Sequence, residues 1–511
     1  MKKNLFLNLI IIQLLLNIIN SNLISLRKTR NLDNYNSEIH LISAGEEDYK
    51  RISYPYEVNK PIEVIADKTG SYSYDYSCGS YYYRITLKFN TRFNSTKNLF
   101  KDLTCTTEID LSKFDFSEVT DMSYMFYGCK ILKNITFGNI NTIEVKSLNS
   151  LFRGCSKLSS INLAKFDFSK VVDMSYMFYK CTNLKTPIFG DIKTSSLSKI
   201  NSIFYGCSNL QSIDLSKFDF SKVTDMSYMF YGCSKLITPS FGDIKTLSLK
   251  IINNIFNGCS NLQSIDLLKF DFSKVTDISY MFSECTSLIS INLGITTTTS
   301  FSNINNLFYN CKALKSVDLS KFSFSSYASK SNVFVGCCSS LTNLNFVDVK
   351  RILNNKINRL FSDCNDIYSI DLSNFDFSGV TDISYMFSDC YNLKSINFGN
   401  IDTSTIQNTK YLFEGCSSLI SINLSKFDLS KISYVSYMFT GCSSLEYIDF
   451  GNTKKSVNRD MNHFFYNSGL KSIDLSNLDF SQVEDISYMF SDCIKLKSIN
   501  FGDINILYFE L

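Results

Sequence analysis

Phenylalanine returns along this chain at a nearly constant interval, and that period constrains the fold more than any other feature. It recurs from Phe100, Phe126 and Phe152 through Phe178, Phe204 and Phe230 to Phe465 and Phe490, sixteen times in all, and thirteen of the fifteen intervals are 26 residues. The one interval of 27 contains the doubled Cys337-Cys338. Three residues after the Phe stands a cysteine in fourteen units, from Cys129 through Cys442 and again at Cys493, with Leu103 and Ser468 in the other two places. A period of this length marks stacked modules, none of which can bury its apolar face without its neighbours.

Within a unit the pattern changes twice. Leu210-Gln211-Ser212-Ile213-Asp214-Leu215 alternates apolar and polar residues, as a strand with one buried face does. Then Val223, Met226, Met229, Phe230 and Cys233 follow in steps of three and four, which predicts one or two helical or 3₁₀ turns. One strand and one short helical segment per 26 residues predict an α/β solenoid. The expected form is a leucine-rich-repeat-like right-handed superhelix of sixteen coils, with a parallel sheet on one face and short helical or 3₁₀ segments on the other. A second period lies over the first: Asp110, Asn162, Asp214, Asp266, Asp318, Asp371, Asn423 and Asp474 each open a version of Asp-Leu-Ser-Lys-Phe-Asp-Phe-Ser, mostly 52 residues apart. Units of the Phe241-Gly242 type alternate with them. Pro187 and Pro239 take the strand Ile place in two such units, where the missing donor is expected to weaken pairing.

The run from Asp214 to Cys233, Asp-Leu-Ser-Lys-Phe-Asp-Phe-Ser-Lys-Val-Thr-Asp-Met-Ser-Tyr-Met-Phe-Tyr-Gly-Cys, resembles the 26-residue "surface protein" repeat of mycoplasma lipoproteins and of BspA-like leucine-rich-repeat proteins of bacteria and protists. The resemblance extends over roughly residues 86 to 505. It implies a cell-surface or secreted protein concerned with adhesion to host proteins or other cells. No lipobox cysteine follows the leader, so bacterial lipid anchoring is not implied.

Outside the array, residues 1–24 carry Met1-Lys2-Lys3, an apolar run from Leu5 to Ile19 interrupted by amides, and a polar close, which reads as a signal peptide. The run is shorter than the ~20 apolar residues of a spanning helix, and no later stretch is long and apolar enough to span a bilayer, so a secreted, extracellular or cell-surface protein is expected. Residues 25–85 are Tyr-rich towards their end and lack the period, and are expected to cap the first coil. Residues 86–505 form the array. Residues 506–511 are a short apolar tail at an end with no recognisable polar cap, and either the tail folds over the last coil or the end is a contact surface open to self-association. Lys and Arg number 51 against 48 Asp and Glu, a net charge of +3, which argues against nucleic acid as a partner.

Candidate sites follow from the columns. The outward strand positions Ser212, Asp214, Ser264, Asp266, Ser316, Asp318, Ser369 and Asp371 form an exposed stripe, the surface a partner would meet. Calcium between neighbouring carboxylates competes with a solvated face eased by amides, and the solvated face is the expectation. Thiols repeated in one column are expected to be free core residues, because they point in parallel into the interior. Cys78 and Cys105 lie outside the column and are candidates for a disulfide that staples the cap. No CxxC pair or His partner stands at metal spacing, so neither metal nor cofactor is expected. Asn94, Asn134 and Asn423 are glycosylation sequons. Only His40 and His463 could act as imidazole bases, and Ser and Cys recur in coil after coil whereas an active site occurs once, so no catalytic residue is expected. The expected function is a non-catalytic binding or adhesion module that meets an extracellular protein or glycan through the sheet face. The alternative is a structural component of a cell wall or surface coat.

Overall fold

The computed structural model describes residues 37–43, 63–69, 82–89, 92–293, 299–318, 322–329, 333–336, 343–345, 357–365, 367–373, 375, 377–451, 455–456 and 460–502. The proposed signal peptide, Cys78 and the 506–511 tail lie outside these residues. The chain forms two units, Met1–Val171 with Pro187–Ile192, and Val172–Thr186 with Lys193–Leu511.

In the first unit, strands β1 (Ser37–Ser43), β2 (Glu63–Thr69), β3 (Tyr82–Phe89), β4 (Thr106–Lys113) and β5 (Asn134–Thr136) form one sheet in the order β2-β3-β1-β4-β5. β4 belongs to the first repeat and pairs parallel with β5, while β1 runs antiparallel along its other edge, with Leu41 opposite Ile109. The edge of the first repeat strand is thereby occupied by non-repetitive chain, which removes a template for unwanted pairing. Beneath it Phe89 and Phe93 meet edge to face at 5.1 Å, and Phe100, Phe126 and Phe152 stack at 5.5 and 5.3 Å.

The second unit is a parallel β-solenoid holding thirteen of the column phenylalanines, Phe178 to Phe490. Its coil around residues 210–233 shows how the pattern is used. Ser212–Asp214 is a three-residue strand, exposed, buried, exposed, with Leu210, Ile213 and Leu215 inside. Phe220, Val223, Met226, Met229, Phe230 and Cys233 are fully buried, so every apolar position read as inward is inward. Phe204, Phe230 and Phe256 stack face to face at 5.5 and 5.6 Å, within 7° of parallel.

The predicted helical face is absent among the described residues. Among the described residues the one helical piece is a 3₁₀ turn, Leu429–Lys431. The spacing of Met226, Met229 and Phe230 arises instead from a ribbon of successive turns. Alternate N–H groups bond back three residues, Met229 to Met226 (3.4 Å), Tyr231 to Tyr228 (3.2 Å) and Cys233 to Phe230 (3.0 Å). The N–H groups between them donate to the next coil, Tyr228 to Asn253 (3.1 Å), Phe230 to Ile255 (2.8 Å) and Gly232 to Asn257 (2.7 Å). An α-helix would use all of these donors internally. Here Tyr228 at φ 57° and Gly232 at φ 69° are left-handed, and each reverses the local path before a helix can propagate. Half the donors are thus left to tie coil to coil.

The 52-residue super-period appears as sheet topology. Strands pair two by two: Ser212–Asp214 with Thr238–Ser240, Ser264–Asp266 with Ser290–Asn292, Ser369–Asp371 with Ser395–Asn397, Ser421–Asn423 with Tyr447–Asp449, and Ser472–Asp474 with Ser498–Asn500. Each pair joins an Asp-Leu-Ser unit, or its Asn423 version, to the unit that follows it. Close approach within the pair requires the glycine of Phe241-Gly242, since a Cβ on Gly242, at φ +57°, would sit 2.6 Å from the Ser216 Cβ. Between pairs a side chain takes over: the Asp271 N–H donates to the buried Thr246 Oγ1 at 2.7 Å, and the Asp219 N–H to Thr194 Oγ1 in the same way. Pro239 lies opposite Ile213, in a strand that pairs on one side only among the described residues, so its missing donor removes no ladder bond. No helix among the described residues is long and apolar enough to cross a membrane.

Candidate functional site

The outward strand residues form a recurring polar strip in the second unit. Ser212, Asp214, Ser264, Asp266, Ser369 and Asp371 are all exposed there, each pair flanking a buried Ile. Ser316 and Asp318 occupy the same strand positions, in register with Asn343 and Asn345. Pairing sets an amide beside an acid: Asp266 faces Asn292 and Asp371 faces Asn397, whose Nδ2 donates to Asp371 Oδ1 at 3.1 Å. The paired strands therefore avoid setting carboxylate against carboxylate, as the solvated-face reading requires.

These carboxylates also do a local job that the stripe reading missed. Asp214 Oδ1 accepts the Ser216 N–H at 2.9 Å, Asp266 Oδ1 the Leu268 N–H and Asp371 Oδ1 the Ser373 N–H at the same distance. Each is an Asx turn that steers the chain out of its strand. Hydrogen bonds from Ser216 hold the Asp214 carboxyl below the usual carboxylate range, and the Ser373 backbone N–H does the same for Asp371. The signal was in the sequence, since Asp-x-Ser recurs at 214–216, 219–221 and 225–227 and all three form the turn. Groups of three or more acids, thiols or imidazoles able to hold a metal are absent among the described residues.

Twelve described cysteines are buried thiols. Their thiols act as donors: Cys233 Sγ reaches the Phe204 carbonyl and Cys259 Sγ the Phe230 carbonyl, both at 3.1 Å. Burial pushes these thiols well above their ordinary range, so they stay protonated. Cys364 departs from the expectation of a reduced column, because it is disulfide-bonded one coil after the doubled Cys337-Cys338, which lie outside the described residues. Cys105 is also disulfide-bonded, and its proposed partner Cys78 is likewise outside them.

The three sequons are exposed, but two of their side chains are engaged. Asn134 Nδ2 donates to Glu108 Oε1 at 3.1 Å, and Asn423 Oδ1 accepts the Ser425 N–H at 2.9 Å on the sheet strip itself.

A second ordered array escaped the sequence reading. Tyr179, Tyr205 and Tyr231 stack at 4.5 Å between successive centroids, within 15° of parallel. Further along, Tyr385, Tyr411, Tyr437, His463 and Tyr488 stack at 4.4 to 4.8 Å, with the Arg359 guanidinium over Tyr385 at 4.1 Å. Their signal was the 26-residue return of aromatics one place after, or two places before, the column Phe.

No curated protein matches the chain. Among solved structures, the TLR13–ssRNA13 complex matches at 13% identity over 76% of this chain and 79% of that chain, with a TM-score of 0.18, too low to bear on fold or ligand. The family described as "Mycoplasma protein of unknown function, DUF285" matches in seven overlapping stretches, 94–213, 161–250, 198–322, 237–346, 302–399, 355–472 and 392–503. These stretches cover the whole run of coils between their outer limits, and the chain belongs to that family.

Proposed function

We propose that this is a non-catalytic BspA-like surface protein, exported or held on the cell surface, that engages an extracellular protein or glycan through the sheet strip. The observation that carries the reading is the strip's repetition. Exposed Ser and Asp recur in successive two-strand sheets of the second unit, which creates area rather than a pocket. At or beside outward strand positions, Tyr368, Ile420 and Tyr447 are 61%, 50% and 62% exposed and supply apolar anchors of the kind that dominate interfaces. The same Ser and Asp in coil after coil favour a binding role over catalysis, since an active site occurs once.

The test replaces Ser212, Ser264 and Ser369 together by Arg, which crowds the strip and leaves the Asx turns intact. Affinity for a partner captured from extracellular matrix or neighbouring-cell extracts is expected to fall at least tenfold, about 1.4 kcal/mol. Undiminished affinity would remove the strip from consideration. Self-assembly of the pure protein with no partner bound would favour the coat alternative.

A further inference from the structure

The tyrosine ladders are placed for a reaction that the sheet strip does not use. Tyr179–Tyr205 and Tyr205–Tyr231 are parallel within 15° and 9° at 4.5 Å, and Tyr385–Tyr411 and Tyr411–Tyr437 within 16° and 21° at 4.5 and 4.6 Å. The buried Phe column stacks more loosely, at 5.5 Å for Phe178–Phe204. The rungs of each ladder come from equivalent places in successive coils, one place after the column Phe in the first ladder and two places before it in the second. The tyrosine rings of each ladder therefore meet face to face from coil to coil. All six of these tyrosines are half-buried rather than enclosed, and the 37% exposed Tyr228 stands beside the first ladder, its ring centroid 5.8 Å from that of Tyr231 and 6.3 Å from that of Tyr205.

We propose that these ladders are sites of oxidative tyrosine coupling, in which hydrogen peroxide used by a haem peroxidase joins Tyr205 to Tyr179 or Tyr231, and Tyr411 to Tyr385 or Tyr437. Each phenol loses one electron and its hydroxyl proton. The two phenoxyl radicals form a carbon–carbon bond between ortho positions. The ortho proton on each ring then moves to the oxygen, restoring aromaticity. Peroxide accepts the two electrons and two protons and leaves as two waters. Radicals couple through facing p orbitals, so parallel stacked rings begin in the productive geometry, and the product rivets one coil to the next. Tyr176–Tyr179, at 5.9 Å and 55°, and Tyr124–Tyr127, at 5.8 Å and 51°, lack that alignment and should not couple.

The test treats the dilute full-length protein with peroxidase and hydrogen peroxide and maps linked peptides by mass spectrometry. Dityrosine fluorescence is expected, with a loss of two hydrogen atoms per bond and intramolecular links confined to Tyr179, Tyr205 and Tyr231 and to Tyr385, Tyr411 and Tyr437. Tyr205→Phe keeps the stacked ring but removes the hydroxyl. It should bring first-ladder products to background while second-ladder products persist, which also shows that the variant is folded. Links only between separate molecules, links chiefly at Tyr176–Tyr179 or Tyr124–Tyr127, first-ladder products surviving Tyr205→Phe, or no dityrosine at all would each overturn the proposal.

Discussion

At the scale of single residues, the cysteine column is explained by volume and by a donor acting together. The Phe204 carbonyl accepts both the Cys207 N–H at 3.0 Å and the Cys233 thiol at 3.1 Å, so each thiol crosses from one coil to the last. Cys233→Ala should cost about 1 to 2 kcal/mol in urea unfolding, through a lost hydrogen bond and a small void. Cys233→Ser should cost less, since Ser468 fills the same place in the chain and is buried. The Asx carboxylates make stability depend on pH. Asp214, Asp219, Asp271 and Asp474 are all held below the usual carboxylate range, chiefly by hydrogen bonds from the Ser two residues on. Groups with lowered folded-state values contribute stability that is present above the unfolded value, near 3.9, and lost as pH falls through the folded value. Denaturant midpoints should therefore be level from about pH 7 to pH 5 and decline below about pH 4. Asp214→Asn, which keeps the accepting oxygen as Asn423 does, should change stability at pH 7 by no more than about 0.5 kcal/mol and reduce the acid decline.

At the scale of elements, the turn ribbon and the paired strands share one cause, which is backbone bonding between coils. Left-handed residues recur two places before and two places after the column Phe, as at Tyr437 and Gly441 around Phe439. Steps of three and four among apolar residues do not separate a helix from successive turns, since both bring those side chains to one face. What separates them is whether donors bond inside the segment or to the next coil, and that is a contact between residues 25 apart. Paired strands give a sharper test through two glycines. Gly242 and Gly379 are both left-handed, at φ +57° and +78°, but a Cβ on Gly242 meets Ser216 whereas one on Gly379 has nothing within 4 Å. Gly379→Ala should cost about 1 kcal/mol for backbone conformation alone. Gly242→Ala should cost at least about 2 kcal/mol, because the coils must also separate, and comparison of the two denaturation midpoints isolates the close approach.

At the scale of the whole molecule, stability is a sum over neighbouring coils rather than a property of one central core. Phe230 contacts Phe204 and Phe256 in the stack, and Phe230→Ala should cost about 3 to 5 kcal/mol. Hydrogen exchange should show protection lost around residues 204–256 and retained in the coils around Phe387 and Phe439. Uniform loss throughout the second unit would refute a nearest-neighbour account. The super-period also balances charge along the chain: Lys217, Asp243 and Lys269 stand one coil apart in turn, and Lys269 Nζ lies 3.8 Å from Asp243 Oδ1. Over these coils charged residues can stand in one column, because neighbours in it carry opposite signs.

The sequence by itself determined the period, the inward residues and the two-coil alternation, because each is a repeated choice of residue at fixed spacing. Leu210, Ile213, Phe230 and Cys233 could be assigned to the interior from polarity and recurrence alone. Tertiary structure decided what residues 25 or 26 apart do to one another. It exported alternate N–H groups to the next coil in place of a helix, set Gly242 against Ser216, turned the Cys column into carbonyl donors and brought tyrosines into ladders. Apolar burial is a property each residue carries wherever the chain goes, whereas a hydrogen bond or a stacked ring needs a partner whose place is set only when the coils close on one another.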